Sequence, residues 1–259
     1  MRQTKYKEYG HFDKHLDWAQ NSHRKFLNKL SEGGITEDHK AILALGLLTA
    51  ARSSVITSYT IGKTIEEVQS YSLPLFLDLD RYTQEIPNAD VVGSGTLEGY
   101  INCLWYLSFC YFFDAPRETV QLIADHTSLA GKDWLIDRLI AASIPGHPIA
   151  VGKLVFPEIY QPLADALTYD QTTEERTQKI QLFLKGYYPQ LKKHQVTWHD
   201  NHKAKPNFYY HFGYWIFELG ALAADIGWDD SAYRDHEMYP KDLVDWKFAQ
   251  RPKDKQNKI

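Results

Sequence analysis

The most suggestive cluster of side chains that can hold a metal is His194, His199, His202, His211 and Glu218, in the last third of the chain. Imidazoles and a carboxylate gathered from neighbouring helices can bind zinc or iron. His211, Glu218 and Asp225 recur every seven residues, so on one helix they would form a stripe two turns apart. A metal-dependent hydrolase with His199, His202, His211 and Glu218 as ligands is the enzyme this composition would support. It lacks the Glu-x-x-His or His-Glu-x-x-His spacing that puts two ligands on one helix face. Asp229 and Asp230 could do acid–base work, although behind Gly227 they read first as a turn and a cap. No Gly-x-Ser-x-Gly elbow occurs, and neither cysteine has a placed histidine. Gly93-Ser94-Gly95 precedes a helix but lacks the Lys and Ser/Thr of a P-loop. No catalytic residue is assigned, and neither metal nor cofactor is expected.

Those residues would be positioned by helices. From Tyr209 to Asp230, Trp215, Leu219, Leu222, Ala223 and Ile226 fall on one face, and Phe217, Ala221 and Ala224 fill most of the rest, which predicts a buried core helix. Glu218 within it needs a partner, and the hydroxyl of Tyr209 or Tyr239, or a histidine, would supply one. Earlier in the chain, Phe12, Leu16, Ala19, His23, Phe26, Leu27 and Leu30 recur at threes and fours, predicting a helix over 9–30 stopped by Gly33-Gly34. Thr36 with Glu37 and Asp38 opens a second helix that Gly62 ends. Thr64 with Glu67 forms a capping box for a third, in which Pro74 is a kink or a fresh start.

Pro87 to Gly95 is a break. Thr96 caps a fourth, aromatic helix through Phe112, and Asp114-Ala115-Pro116 opens a fifth that ends near Gly131. A short helix over 132–142 leads to Pro145, Gly146 and Pro148, the strongest linker candidate. Pro157 starts another helix, and Thr172 with Glu175 caps one that ends at Gly186. Clean alternation between turns is absent, and Val55-Ile56-Thr57 sits inside a helical period. The expectation is an all-α protein of about ten helices in two packed halves: an N-terminal domain over 1–131, a C-terminal domain over 132–246 and a basic tail over 247–259.

The 259 residues are 44% hydrophobic and 14% aromatic, enough to bury a core without metals or disulfides. Cys103 and Cys110 on one helix would stand about 10 Å apart along its axis, too far for a disulfide, and read as reduced core thiols. Met1 to His11 show no apolar h-region, and the apolar run Ala41 to Ala51 is about half of a bilayer span. No membrane segment is expected, and the reading is a cytoplasmic protein. The net charge of -4 argues against direct nucleic-acid binding and favours a basic partner. Charge is uneven: Glu66, Glu67, Asp78, Asp80, Glu85, Asp90 and Glu98 outnumber Lys63 and Arg81 in their stretch.

Several motifs together resemble the PoNi family of polymorphic-nuclease immunity proteins. They are Arg52 with Tyr59-Thr60-Ile61-Gly62-Lys63-Thr64-Ile65-Glu66-Glu67; Trp198-His199-Asp200-Asn201-His202-Lys203; Gly213-Tyr214-Trp215 with Glu218; Asp229-Asp230-Ser231; and Tyr239-Pro240-Lys241-Asp242-Leu243-Val244. The resemblance covers about Phe12 to Tyr82 and Lys132 to Trp246, and its C-terminal series is the most specific part. It implies an immunity protein, not an enzyme, that binds and blocks a cognate PoNe-type DNase toxin of the kind bacteria deliver to competitors. Arg52, Tyr59, Gly62, Gly213, Tyr214, Trp215, Glu218, Tyr239, Pro240 and Asp242 match motif positions and are expected to be architectural.

A DNase needs a basic cleft for its polyanionic substrate, so an inhibitor gains from an acidic face. Candidates for that face are Asp229, Asp230, Asp235 and Glu237 behind the core helix, and Glu66, Glu67, Asp78 and Asp80 on the third helix. A homodimer is left open, and a helical adaptor with no toxin is the remaining class.

Overall fold

The computed structural model describes residues 2–3, 9–32, 34–86, 95–168, 171–205 and 211–250. Ten α-helices and one 3-10 turn account for the regular structure of these residues, with no strand among them. The all-α expectation holds. The chain divides into two compact units, Met1–Val91 with Asp200–Tyr214, and Val92–His199 with Trp215–Ile259.

The first unit holds α1 (Tyr9–Ser31), α2 (Glu37–Ile61) and α3 (Ile65–Glu85), with α2 packed on both neighbours. Local chemistry sets the ends. Thr36 Oγ1 accepts the His39 amide at the start of α2, and Gly62, at φ +97°, closes it with its N–H on the Ser58 and Tyr59 carbonyls. Only a residue at ease with positive φ can make that left-handed cap. Thr64 and Glu67 form the expected reciprocal box: Thr64 Oγ1 accepts the Glu67 amide at 3.2 Å and Glu67 Oε2 the Thr64 amide at 3.0 Å. Pro74 lies inside α3, which continues through it. Among the described residues α2 alone has the length and apolarity of a membrane span; 72% of its most apolar window is buried, the position of a core helix.

The second unit is arranged around α4 (Leu97–Phe112), which packs against α5 (Arg117–Asp125), α6 (Trp134–Ser143) and α9 (Phe217–Ile226). Helix α7 (Pro157–Ala166) packs on α8 (Thr173–Lys193), and α10 (Lys241–Ala249) on α9. Thr96 caps α4, and Thr172 with Glu175 caps α8 through both bonds of the box. Cys103 and Cys110 are buried on α4 with no disulfide between them.

Three expectations change. The core helix predicted over 209–230 is α9 alone, ten residues from Phe217 to Ile226; Tyr209 and Tyr210 lie outside the described residues. Positions 211–216 are buried but not helical, and Gly213 sits at φ +116°. Their backbone groups bond to distant partners instead of an i→i−4 ladder. In the first unit, the His211 carbonyl faces His11 Nε2 at 3.1 Å and the Phe212 carbonyl accepts from Thr60 Oγ1 at 2.7 Å. The Gln3 side-chain amide takes both backbone groups of Tyr214. In the second, the Trp215 carbonyl accepts from Trp105 Nε1 at 3.2 Å, and the Ile216 amide donates to Met238 O at 2.9 Å.

Helix α8 does not stop at Gly186 but runs through it and Pro189 to Lys193. Tyr187 and Leu191 are buried on that extension, and their packing outweighs the weak preference of a mid-helix glycine. Helix α5 ends at Asp125, before Gly131. The breaks proposed at Gly33 and at 87–94, and tail residues 251–259, fall outside the described residues.

Candidate functional site

The residues of the metal reading have other occupations. His199 packs its ring against Tyr188 at 4.7 Å between centroids. His202 Nδ1 lies 2.8 Å from Tyr214 Oη, and the buried His211 ring stands 4.4 Å from Tyr214. His194 Nε2 lies 3.0 Å from Glu158 Oε1. Among the described residues no group of three His, Cys, Asp or Glu side chains is placed to hold a metal ion. Asp225, the third member of the sequence stripe, is instead bound by Arg138 at 2.8 Å.

Glu218 is fully buried in the first turn of α9. Its partner is not one of those expected. Tyr160 Oη, from α7, donates to Oε1 at 3.1 Å, whereas Tyr239 Oη donates to Asp230 Oδ2 at 3.0 Å. Glu218 Oε2 has no hydrogen-bond partner among the described residues, so the carboxyl is only half satisfied. Burial pushes its pKa up to about 8, against the opposing pull of its own backbone amide and Tyr160. The carboxyl is therefore neutral at pH 7.

The acidic candidates separate into outward and inward groups. Asp229 is exposed and accepts the Ser231 amide at 3.0 Å, which holds it below the usual carboxylate range. Asp235 is exposed and pairs with Lys241 at 2.6 Å; that contact depresses its pKa too. Glu237 is half-buried. Asp230 is 7% exposed and held by Arg234 Nη1 at 2.8 Å as well as Tyr239. On α3, Glu66, Glu67 and Asp80 are exposed. Glu67 is lowered chiefly by its capping bond from the Thr64 amide, then by Lys63. Asp78 is 2% exposed and takes His23 at 2.6 Å together with Arg81. Asp78 and Asp230 are thus internal ion-pair centres, while Glu66, Glu67, Asp80, Asp229 and Asp235 present carboxylates to solvent.

Of the ten motif residues all but Gly62 and Asp242 are buried. Tyr214, Trp215 and Tyr239 are buried, and Pro240 lies so close to Gly220 on α9 that a Cβ there would come 2.5 Å from Pro240 Cγ. Asp242 is half-buried in the first turn of α10. Arg52 and Tyr59 are buried in α2, with the Arg2 guanidinium 4.3 Å above the Tyr59 ring.

Two fully buried carboxylates were not singled out from the sequence. Asp133 Oδ1 caps α6 through the Leu135 and Ile136 amides and accepts from Tyr100 Oη, while Oδ2 takes the Val155 amide. Asp137 accepts from the Gly131 and Ala150 amides and faces His147. Together they pin the 144–156 loop that holds the Pro-Gly linker candidate. Asp-x-x-x-Asp, with the first Asp before an apolar period, was the available signal.

This arrangement of helices is shared with a solved structure. The crystal structure of protein PA2201 from Pseudomonas aeruginosa matches with a TM-score of 0.68, over 91% of this chain and 88% of that one, at 18% identity. At that identity the likeness is one of fold. No curated protein matches the sequence. Residues 131–243 match the family described as PoNe immunity proteins (PoNi), C-terminal. That part, less than half of the chain, is similar to the PoNi C-terminal domain, the family its motifs resemble.

Proposed function

We propose that the protein is an immunity protein that binds a cognate PoNe-type DNase toxin and neutralises it through an acidic surface, without catalysis. The observation that carries this reading is the PoNi C-terminal match over 131–243, which supports an immunity protein for nuclease toxins. The acidic surface is argued from physics. A nuclease that grips a polyanion presents a cationic cleft, and carboxylates facing it raise the association rate and reject other partners. Glu66, Glu67 and Asp80 on α3, with Asp229 and Asp235 behind α9, are the exposed candidates.

In this reading the protein acts in the cytoplasm of the toxin-producing cell, within a system of competition between bacteria. Its C-terminal domain spans 132–246. It touches neither nucleic acid nor membrane. The test is co-expression with the toxin encoded by the neighbouring reading frame, followed by titration of the purified nuclease. Growth rescue and loss of DNA cleavage at one equivalent are expected. Cell death and unimpaired cleavage at a tenfold excess of this protein would refute the proposal.

A further inference from the structure

Helix α3 buries one face and leaves the other exposed to solvent. Ile65, Val68, Ser72, Leu75, Phe76, Leu79 and Tyr82 are buried. On the opposite side Glu66, Ser70, Leu73, Leu77, Asp80 and Gln84 are all exposed. At 100° per residue these six fall within an arc of about 80° and span about 27 Å. Leu73 and Leu77 form its middle, 61% and 67% exposed, stacked one turn apart. Exposed leucines scattered singly need no explanation, but an adjacent pair bracketed by polar groups marks an interaction surface.

The bracket is acidic. Glu66 lies toward one end of the stripe and Asp80 toward the other. The basic residues nearby already have partners: Lys63 pairs with Glu67 at 3.3 Å, and Arg81 with the buried Asp78. Pro74, between the leucines, has no amide hydrogen, so the helical bond to the Ser70 carbonyl cannot form. Apolar anchors in the middle, with carboxylates around them, are the anatomy of an interface whose partner carries an apolar patch rimmed by Lys and Arg.

We infer that this outer stripe of α3 docks the nuclease domain of the toxin, with Leu73 and Leu77 as anchors and Glu66 and Asp80 meeting its DNA-binding cations. The inference rests on the immunity reading above. It goes further in choosing α3 over the Asp229 cluster and in making two leucines, not the acids, the main source of affinity.

The experiment uses the full chain and the purified nuclease domain of the toxin encoded beside it, with affinity and rates read by biolayer interferometry. The double variant Leu73→Gln/Leu77→Gln changes only exposed positions, and its melting curve confirms folding. It is expected to bind about 100-fold more weakly. Glu66→Lys/Asp80→Lys is expected to slow association about tenfold and flatten its salt dependence. Val151→Gln, at a 90% exposed apolar residue of the other unit, should bind as the unaltered chain does.

If the unaltered chain binds and the leucine variant matches it within twofold, the docking face is overturned while the immunity reading stands. Absence of binding by the unaltered chain sinks the immunity reading and this one with it. A third outcome also overturns the inference: light scattering shows a dimer that Leu77→Arg dissociates with toxin affinity unchanged, which would assign the stripe to a second copy of this chain.

Discussion

Tyr160 Oη donates a 3.1 Å hydrogen bond to Glu218 Oε1 in the core of the second unit, where both residues are fully buried. The pair ties α7 to the first turn of α9 and makes stability depend on pH. Below about pH 4.5 Glu218 is protonated in both folded and unfolded chains and contributes no slope. Between there and its folded value of about 8, the unfolded chain releases a proton that the folded chain keeps. Stability therefore falls as pH rises, by about 1.4 kcal/mol per unit from this group, and levels off above pH 8. Glu218→Gln removes the titration. Urea unfolding at pH 5, 7 and 8.5 should show the variant gaining on the parent as pH rises; a difference that is constant with pH would disprove the account.

Asp133 offers a second test, because four donors converge on one carboxylate. Asp133→Ala leaves the Leu135, Ile136 and Val155 amides and the Tyr100 hydroxyl without their acceptor. Loss of a cap costs roughly 0.5–2 kcal/mol, and each buried unsatisfied donor about 1–3. A loss of about 3 kcal/mol or more is expected. Asp133→Asn keeps Oδ1 but turns an amide toward the Val155 N–H, and should lose about half as much. Chemical denaturation that placed the alanine variant within 1 kcal/mol of the parent would show that water replaces these bonds.

What could be read from the sequence follows the range of the interactions involved. Caps close over three or four residues, and Thr36, Gly62, Thr64 with Glu67, Thr96 and Thr172 with Glu175 each stand where a local rule puts them. The 211–216 stretch was misread because helical spacing of Trp215 and Leu219 says only that they are buried. Which groups satisfy the backbone there is decided by Gln3, His11, Thr60, Trp105 and Met238, far away in sequence. Asp78 and Asp230 also look like surface acids. Asp78 is paired with His23, 55 residues away, and Asp230, though its partners Arg234 and Tyr239 are close in sequence, meets them through a non-helical turn that local spacing does not specify.

Two helical glycines make opposite predictions. Gly186, exposed in α8, has nothing within 4 Å of a built Cβ, so Gly186→Ala should stabilise by about 0.5–1 kcal/mol through helix propensity. At Gly220 the Cβ would meet Pro240 Cγ at 2.5 Å and Phe112 Cζ at 3.3 Å. Gly220→Ala should therefore destabilise by about 1–3 kcal/mol through overpacking. Thermal melts of the two variants should move in opposite directions. A Gly220→Ala melt at or above the parent's would mean that α9 and the Tyr239-Pro240 turn move apart at little cost.

The acidic surface makes the last prediction, in which burial decides which carboxylates are informative. Asp229 and Asp235 are exposed, as are Glu66, Glu67 and Asp80. Reversing Asp229 and Asp235 should leave folding nearly unchanged, since exposed ion pairs contribute little, whereas reversing the α3 set also removes the Glu67 bond to the Thr64 amide and should lower the melting temperature by the loss of half a capping box. If the set faces a cationic nuclease, reversal should slow association with the toxin and weaken the salt dependence of the rate. Asp230→Lys is different in kind. It would bury an ammonium beside Arg234 in place of the carboxylate that holds Arg234 and Tyr239, and should cost several kcal/mol of stability whether or not toxin is present. Stopped-flow association at 20 and 200 mM salt, with melts of each variant, separates the two effects. Unchanged association at low salt after reversal of both exposed sets would rule out an acidic docking surface.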